Sequence, residues 1–496
     1  MIDKETERKC GVGLSYINTI LQALLGFFYV PLLLHYLGTS QYGLYQLMGS
    51  LIAYFSIMDF GLSTAVIRFY VYYKNTTIEE FDGFLATAHK IYIIIALLAL
   101  LIGGALYSFL DVIFATGLSK QELYAAKQIY ILLLVNIIFS LVGMLYRAII
   151  TANENFLFLK GVELVQLLIQ PFLVIVVLNQ WPTAYAMTVV MTLINICLTV
   201  LRAVFCRYDL NIRIKDFKYP FQWEVFHKIR KLMISTFFIS IVDQIFLKAN
   251  QVILGVVSNT SAVAIFSIAA LIYTSYLSLS YAISGVFLPK VTTLVLNNAT
   301  KKEISDLFIK IGALQYAIYG LVLSGFMIFG KDFIALWAGA EFLDSWLMAI
   351  LIMVPYTIDM IQNIGLSILQ AMNLYEVRAK VYILAGIMNI VLSCYLGKYY
   401  GGIGCALATS ISLFFCNAIM NICYYKYVHL DLKRFWKKIA EITVFIVAIS
   451  IIGFECNILL GNRSIIYMAL KILVYTVLYV GIIYIAFQKY RKDGLL

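Results

Sequence analysis

The sequence predicts an all-α integral membrane protein of about fourteen transmembrane helices, built as two six-helix lobes related by a pseudo-two-fold axis plus two C-terminal helices. Three observations lead there. The chain is 62% hydrophobic and only 13% charged, with a mean hydropathy of +0.91, outside the range of soluble domains. Apolar runs recur along nearly its whole length, and each long one holds the roughly 20 residues that a helix needs to cross a ~30 Å hydrocarbon core. Its Lys and Arg residues alternate sharply between successive connections. The alternating ten-residue segments of an outer-membrane barrel are not present.

In chain order the apolar runs place spans at roughly 13–35, 43–70, 90–112, 125–148, 157–179, 182–205, 232–256, 262–288, 306–330, 344–368, 378–397, 402–427, 438–459 and 464–487. "MIDKETERKC" reads as a charged tail rather than a cleavable leader, and the run after it is long enough to stay as an anchor. The longest polar stretch, "CRYDLNIRIKDFKYPFQWEVFHKIRKL" (206–232), separates spans six and seven. The expected organisation is an N-terminal lobe over 1–206, a basic cytoplasmic linker over 207–231, a C-terminal lobe over 232–428, and accessory spans with a tail over 429–496.

Orientation follows from the basic residues. With a cytoplasmic N-terminus, 30 of the 37 Lys and Arg fall on cytoplasmic connections and the adjoining helix ends. Five fall outside (Lys120, Lys127, Lys331, Lys398 and Arg463), and Lys248 and Lys471 lie within spans. This bias puts both termini in the cytoplasm. It also accounts for the net charge of +11 through anionic headgroups, with no need of nucleic acid.

Internal repetition supports the two lobes. "GLYQLM" (43–48) resembles "AIFSIA" (264–269), and "GLSTAVIRF" (61–69) lines up with "AISGVFLPK" (282–290) at the same offset. "ITANENF" (150–156) matches "LQAMNLYE" (369–376) at nearly that offset. Parallel repeats about an axis normal to the membrane are a common transporter plan, with the substrate path between the halves.

Polar residues at helical spacing mark the faces that avoid lipid. Span 7 carries Ser240, Gln244, Lys248 and Gln251, with Asp243 beside the stripe. Span 4 carries Asn136, Ser140 and Arg147, and span 1 carries Asn18 and Gln22. Span 5 carries Gln166 and Gln170, and span 10 carries Asp359, Gln362 or Asn363, and Gln370. Such amides either join helices to one another or line a hydrated lumen. Lys248 reads as a lumenal cation or as the ion-pair partner of Asp243 or Asp359. Arg68, Arg147 and Lys290, near cytoplasmic helix ends, either snorkel to headgroups or face the lumen. Read as one helix from Tyr42, span 2 puts Asp59 about 25 Å and Arg68 about 39 Å along its axis, on opposite faces. Arg68 and Lys290 would then form a basic cytoplasmic mouth, with Asp59 bonding a neighbouring helix.

The eight cysteines form no CxxC or Cys/His cluster and read as core-filling residues. The four histidines have no metal spacing, so neither a metal nor a cofactor is expected. No Walker A, HExxH or GxSxG string occurs, so nothing supports ATP hydrolysis or covalent catalysis by this chain.

The fourteen spans, the 6+6+2 plan, "PLLLHYLGTSQYGLYQL" (31–47), "DFGLSTAVIRF" (59–69) and the A-N-E turn after span 4 resemble the oligosaccharide flippase family. This is the Wzx-type or polysaccharide-synthase-type branch of the MATE-like exporter superfamily. The resemblance implies a multi-pass protein of the bacterial cytoplasmic membrane, not an enzyme. It implies translocation of a polyprenyl-diphosphate-linked oligosaccharide, such as an O-antigen, capsule or exopolysaccharide unit, to the outer leaflet by alternating access. The diphosphate would meet Arg68, Arg147, Lys248 or Lys290. The glycan would meet Asn18, Gln22, Asn136, Gln244 and Gln251, with Asp243 and Asp359 nearby. Membrane lipids, and a polymerase and chain-length proteins of the same pathway, are the implied partners. A cation-coupled MATE exporter fits less well, because span 1 offers only Asn18 and Gln22 where an acidic residue is usual. A lipid II flippase fits less well because span 1 lacks a lumenal arginine.

Overall fold

A computed structural model of the chain describes residues 4–215, 217–296, 300–372, 374–460 and 465–492, apart from some side chains within these helices. Among these residues every regular element is helical. Among the described residues, eleven helical runs are long and apolar enough to cross a membrane. Two of them, Leu24–Tyr73 and Glu376–Val428, are each divided by a left-handed glycine, Gly38 and Gly401 respectively. The protein is thus an all-α, multi-pass membrane protein. It forms two compact units, Met1–Ala264 and Ile265–Leu496.

In the first unit α1 (Lys4–Ala53) turns at Gly38, where φ is 68°. The small and polar residues of the "YLGTSQYG" string have physical roles here. Gly38 takes the left-handed backbone that costs a side-chain-bearing residue free energy. Ser40 Oγ donates to Glu122 Oε1 at 2.9 Å, and Gln41 Oε1 accepts from the Ala184 amide at 3.2 Å. Gly43 packs so closely that a Cβ there would lie 1.9 Å from the Thr260 carbonyl oxygen.

Span 2 differs from its expected form. Residues 43–70 are not one helix: a 3-10 turn, Tyr54–Asp59, leads into Phe60 (φ 53°) and Gly61 (φ 71°), and α2 (Leu62–Tyr73) starts afresh. Two successive left-handed residues cannot continue a right-handed helix. The depths and opposite faces inferred for Asp59 and Arg68 from a continuous helix therefore do not hold. Asp59 does bond a neighbouring helix: its Oδ2 accepts from Ser63 Oγ at 2.8 Å and its Oδ1 from Tyr92 OH at 3.1 Å.

The helices α3 (Ile78–Ile113), α4 (Lys120–Ala152), α5 (Phe156–Gln180) and α6 (Ala184–Tyr208) follow. Side-chain caps at Thr77, Ser119 and Thr183 start three of them, and at α4 Ser119 and Glu122 complete a capping box. At 36 residues, α3 is about 54 Å long, so its ends extend beyond a ~30 Å core. The A-N-E turn joins α4 to α5. Asn153 there donates to Tyr70 OH at 2.7 Å and accepts from Lys74 Nζ at 2.7 Å, tying the turn to the end of α2.

The basic linker lies along α3. Lys215 pairs with Asp82 at 2.6 Å, and Lys90 Nζ donates to the Tyr219 carbonyl at 2.5 Å. The Gln222 amide donates to Thr87 Oγ1 at 3.1 Å. The hydrogen bond to Asp82 pushes the Lys215 ammonium above its ordinary pKa. The linker leads into α7 (Trp223–Val257), which packs on α1, α2 and α3 within this unit.

The unit boundary falls within α8 (Thr260–Leu296). The second unit continues through α9 (Lys301–Trp337), α10 (Asp344–Ile361), α11 (Asn363–Ala371), α12 (Tyr375–Cys423), α13 (Leu432–Leu460) and α14 (Ile465–Lys492). The last two helices pack on α9. Ala313, Ala317, Ile328 and Phe329 meet Ile442, Ile446, Ile449, Tyr475 and Tyr479 in one buried cluster. Tyr475 OH donates to Ser324 Oγ at 2.7 Å and Tyr479 OH to the Ala317 carbonyl at 2.8 Å.

Candidate functional site

A polar cavity of about 480 Å³ opens within the first unit between α1, α4, α5 and α6. Its polar lining comprises Asn18 and Gln22 from α1, Arg147 from α4, Glu163, Gln166 and Gln170 from α5, and Arg202 from α6. Each helix presents these groups on one face: Glu163, Gln166 and Gln170 are spaced i, i+3, i+7.

Charge is concentrated at one end. Arg147 lies five residues before the end of α4, Arg202 six before the end of α6, and Glu163 seven into α5. At 1.5 Å per residue these groups sit about 8–11 Å in from helix ends that the short α4–α5 turn places on the same side. Gln170, fourteen residues into α5, is about 21 Å along it. The charged groups therefore share one end of the cavity with Asn18, which bonds the Lys160 carbonyl, and Gln170 lies deeper.

The Glu163 carboxylate is bracketed by cations: Arg147 lies 2.7 Å from Oε1 and Lys160 2.8 Å from Oε2. Asn18 Nδ2 donates to the Lys160 carbonyl at 3.0 Å, and Gln166 Nε2 donates to Gln170 Oε1 at 3.2 Å. Three buried polar atoms here have no hydrogen-bond partner among the described residues: Asn18 Oδ1, Tyr29 OH and Arg202 Nε. A buried polar group without a partner costs about 1–3 kcal/mol, so the polar groups of this region are incompletely satisfied by one another. Two guanidiniums against one carboxylate leave the lining with a net positive charge. Guanidinium is suited to bidentate recognition of phosphate.

The structure thus brings together Asn18, Gln22 and Arg147, with Gln166 and Gln170, and adds Arg202 and Glu163, which the sequence reading did not single out. Their signal was present, since Asn195, Thr199 and Arg202 fall at i, i+4, i+7, but a cation near a span end was assigned to headgroups.

Other residues singled out lie elsewhere. Asn136 joins α4 to α6: its carbonyl and Oδ1 accept from Asn195 Nδ2 at 3.0 and 3.1 Å. On α7, Gln251 bonds Ser50, and Gln244 Nε2 donates to Ser56 Oγ at 3.4 Å. Lys248 is half-buried and makes no ion pair among the described residues, and Asp243 is exposed. Asp359 accepts from Tyr382 OH at 2.8 Å and lies 3.9 Å from Arg378, linking α10 to α12. Arg68 is exposed on α2. The side chains of Ser240, Lys290 and Gln370 lie outside the described residues, and with Lys290 goes one half of the expected basic mouth.

Known structures share this architecture. A structure described as the lipid II flippase MurJ in an inward closed conformation superposes with a TM-score of 0.76 at 18% identity, covering 97% of this chain and 99% of that one. An inward-facing multidrug resistance MATE family transporter of the MOP superfamily gives 0.63 at 13% identity, covering 82% and 94%. The eukaryotic MATE transporter AtDTX14 gives 0.55 at 12% identity, covering 88% and 99%. At these identities the likeness shows the fold, that of the MOP-type transporters. No curated protein shows a significant sequence match to the chain. A family profile described as polysaccharide biosynthesis protein matches residues 10–295, more than half of the sequence. The chain therefore belongs to the polysaccharide biosynthesis protein family, in the fold of the MOP-type transporters.

Proposed function

We propose that the protein is a flippase. It carries a polyprenyl-diphosphate-linked oligosaccharide, a repeat unit of O-antigen, capsule or exopolysaccharide, from the inner to the outer leaflet of the bacterial cytoplasmic membrane. The head group passes through the protein by alternating access while the tail stays in lipid. Both termini are cytoplasmic, following the 30-to-5 division of basic residues. The lobes are those of the repeat, residues 1–206 and 232–428 joined by the linker, with 429–496 accessory. Polymerase and chain-length proteins receive the unit outside.

The observation that carries this reading is the cavity lined by both Arg147 and Arg202 and by the amides Asn18, Gln22, Gln166 and Gln170. A diphosphate needs charge-assisted donors, which the two arginines supply. A glycan needs neutral amides to exchange for water, and the same lining supplies those. No bond is made or broken in this reaction.

The test is complementation of a strain lacking its own flippase. Arg147→Gln with Arg202→Gln is expected to cut surface glycan about tenfold or more, since each charge-assisted contact is worth about 1.5–3 kcal/mol. The corresponding Lys double variant should keep part of the activity. Wild-type glycan at wild-type membrane levels of the Gln variant would refute the assignment. Rescue of a strain lacking lipid II transport instead of one lacking glycan transport would redirect the substrate to a peptidoglycan precursor.

A further inference from the structure

A second cavity, of about 690 Å³, lies on the first unit between α3 and the start of α7. Its two walls are helical stripes. Ile91, Ile94 and Ile95 face it from α3, at i, i+3, i+4; Phe226, Arg230, Met233 and Phe237 face it from α7, at i, i+4, i+7, i+11. Phe60, at the break before α2, closes one end, its ring 4.8 Å from that of Phe237. An edge-to-face cluster of Phe221, Trp223 and Phe226 rims the other, with ring centroids 5.1 and 5.9 Å apart.

Two apolar stripes in register would ordinarily close on each other, because a gap forfeits dispersion contacts on both sides. Here Ile91, Ile95 and Met233 are buried at the base of the groove, but its outer part stays open, and Ile94 is 49% exposed. The single charged residue of the lining, Arg230, is exposed and makes no hydrogen bond or ion pair among the described residues. Trp223, 66% exposed at the rim, belongs to the residue type that settles at headgroup level.

We propose that this groove holds one molecule of an anionic glycerophospholipid. One acyl chain lies between the α3 and α7 stripes, and the phosphodiester rests on Arg230. The charges match one to one, since a phosphodiester carries a single negative charge and the groove a single unpaired cation. A cavity of this size takes one acyl chain, whereas the longer polyprenyl chain of the transported lipid would leave most of its length outside. The lipid would wedge the start of α7, and the linker strapped to α3, in their present separation. This site is distinct from the polar cavity and does not depend on the substrate assigned to it.

The experiment uses the full-length protein in nanodiscs containing photoactivatable phosphatidylglycerol or photoactivatable phosphatidylcholine. Labelling is mapped to α3 and α7 peptides by mass spectrometry. Wild type should be labelled by phosphatidylglycerol about fivefold more than by phosphatidylcholine, the factor one interfacial cation confers. Arg230→Gln should lose that preference and Arg230→Lys keep it. Ile94→Trp, at a half-exposed position that tolerates size, should fill the groove and abolish labelling by both lipids. Equal labelling of wild type by the two lipids would overturn the proposal, as would unchanged labelling in Ile94→Trp. Preferential labelling by a photoactivatable polyprenyl phosphate would overturn it in favour of the substrate's own tail.

Discussion

Glu163 holds two cations, and its role differs from that of a stabilising ion pair. Arg147 is about half exposed in the pair, and exposed ion pairs contribute only about 0–1 kcal/mol. The carboxylate instead competes with an incoming phosphate for the same guanidinium. Glu163→Gln should therefore leave the melting temperature within a few degrees of wild type and tighten binding of a soluble polyprenyl diphosphate severalfold. Thermal-shift and binding titrations read these two effects separately, and weakened binding would mean that Glu163 orients Arg147 rather than competing for it. At this scale helical spacing showed that Asn18, Gln22, Arg147, Gln166 and Gln170 avoid lipid, but not which helices face one another. Asn136 has the same spacing credentials as Arg147, yet it spends its hydrogen bonds on Asn195. Which polar stripe faces a cavity and which faces a partner helix is decided by packing between helices distant in sequence, and a stripe on one helix carries no record of its neighbour.

At the scale of elements, the helical runs were legible because they are long and apolar, with basic residues concentrated at alternate ends, although the expected count of fourteen spans stands against eleven such runs among the described residues. The interruption at Tyr54–Gly61 was not, because "YFSIMDFG" is apolar enough to read as continuous helix, and only Asp59 and Gly61 depart from that pattern. The same segment shows what the D-x-G-L motif accomplishes: Asp59 ties the break to α2 and α3 through Ser63 and Tyr92. The preceding motif brings α1 against the start of α8. There Glu122 Oε1 accepts from both Ser40 Oγ, at 2.9 Å, and Thr260 Oγ1, at 2.7 Å, and Gly43 leaves room for the Thr260 carbonyl. A methyl group at Gly43 would meet backbone atoms at 1.9 and 2.8 Å, which cannot move aside as a flexible side chain could. Gly43→Ala should force this contact apart while α1 itself stays helical, since Ala favours the helix by about 1 kcal/mol. In a background with Ser40→Cys and Thr260→Cys, oxidative cross-linking should be efficient with Gly43 and fall sharply with Gly43→Ala. Equal cross-linking would show that the contact yields elsewhere.

For the whole molecule, the last two helices pose a question that the repeat does not answer, because they have no counterpart in either lobe of the 6+6 plan. They cover the face of α9 formed by Ala313, Ala317, Ile328 and Phe329. In water, exposing such a face would be ruinous; in a bilayer, lipid chains are as apolar as the side chains they would replace, so no hydrophobic penalty arises. What is lost is close packing and the hydrogen bonds that join Tyr475, Tyr479 and Thr443 to α9, each worth about 0.6 kcal/mol on average within membranes. A chain ending at Val428 should therefore still insert, at near-normal membrane levels, but melt several degrees lower in detergent, where packing alone protects α9. Co-expression of residues 429–496 as a separate segment should restore part of that stability, because the contacts form between preformed helices. Fluorescence-detected size exclusion after heating measures both effects. Disappearance of the truncated chain from the membrane would instead mean that α13 and α14 are needed before the second unit can assemble.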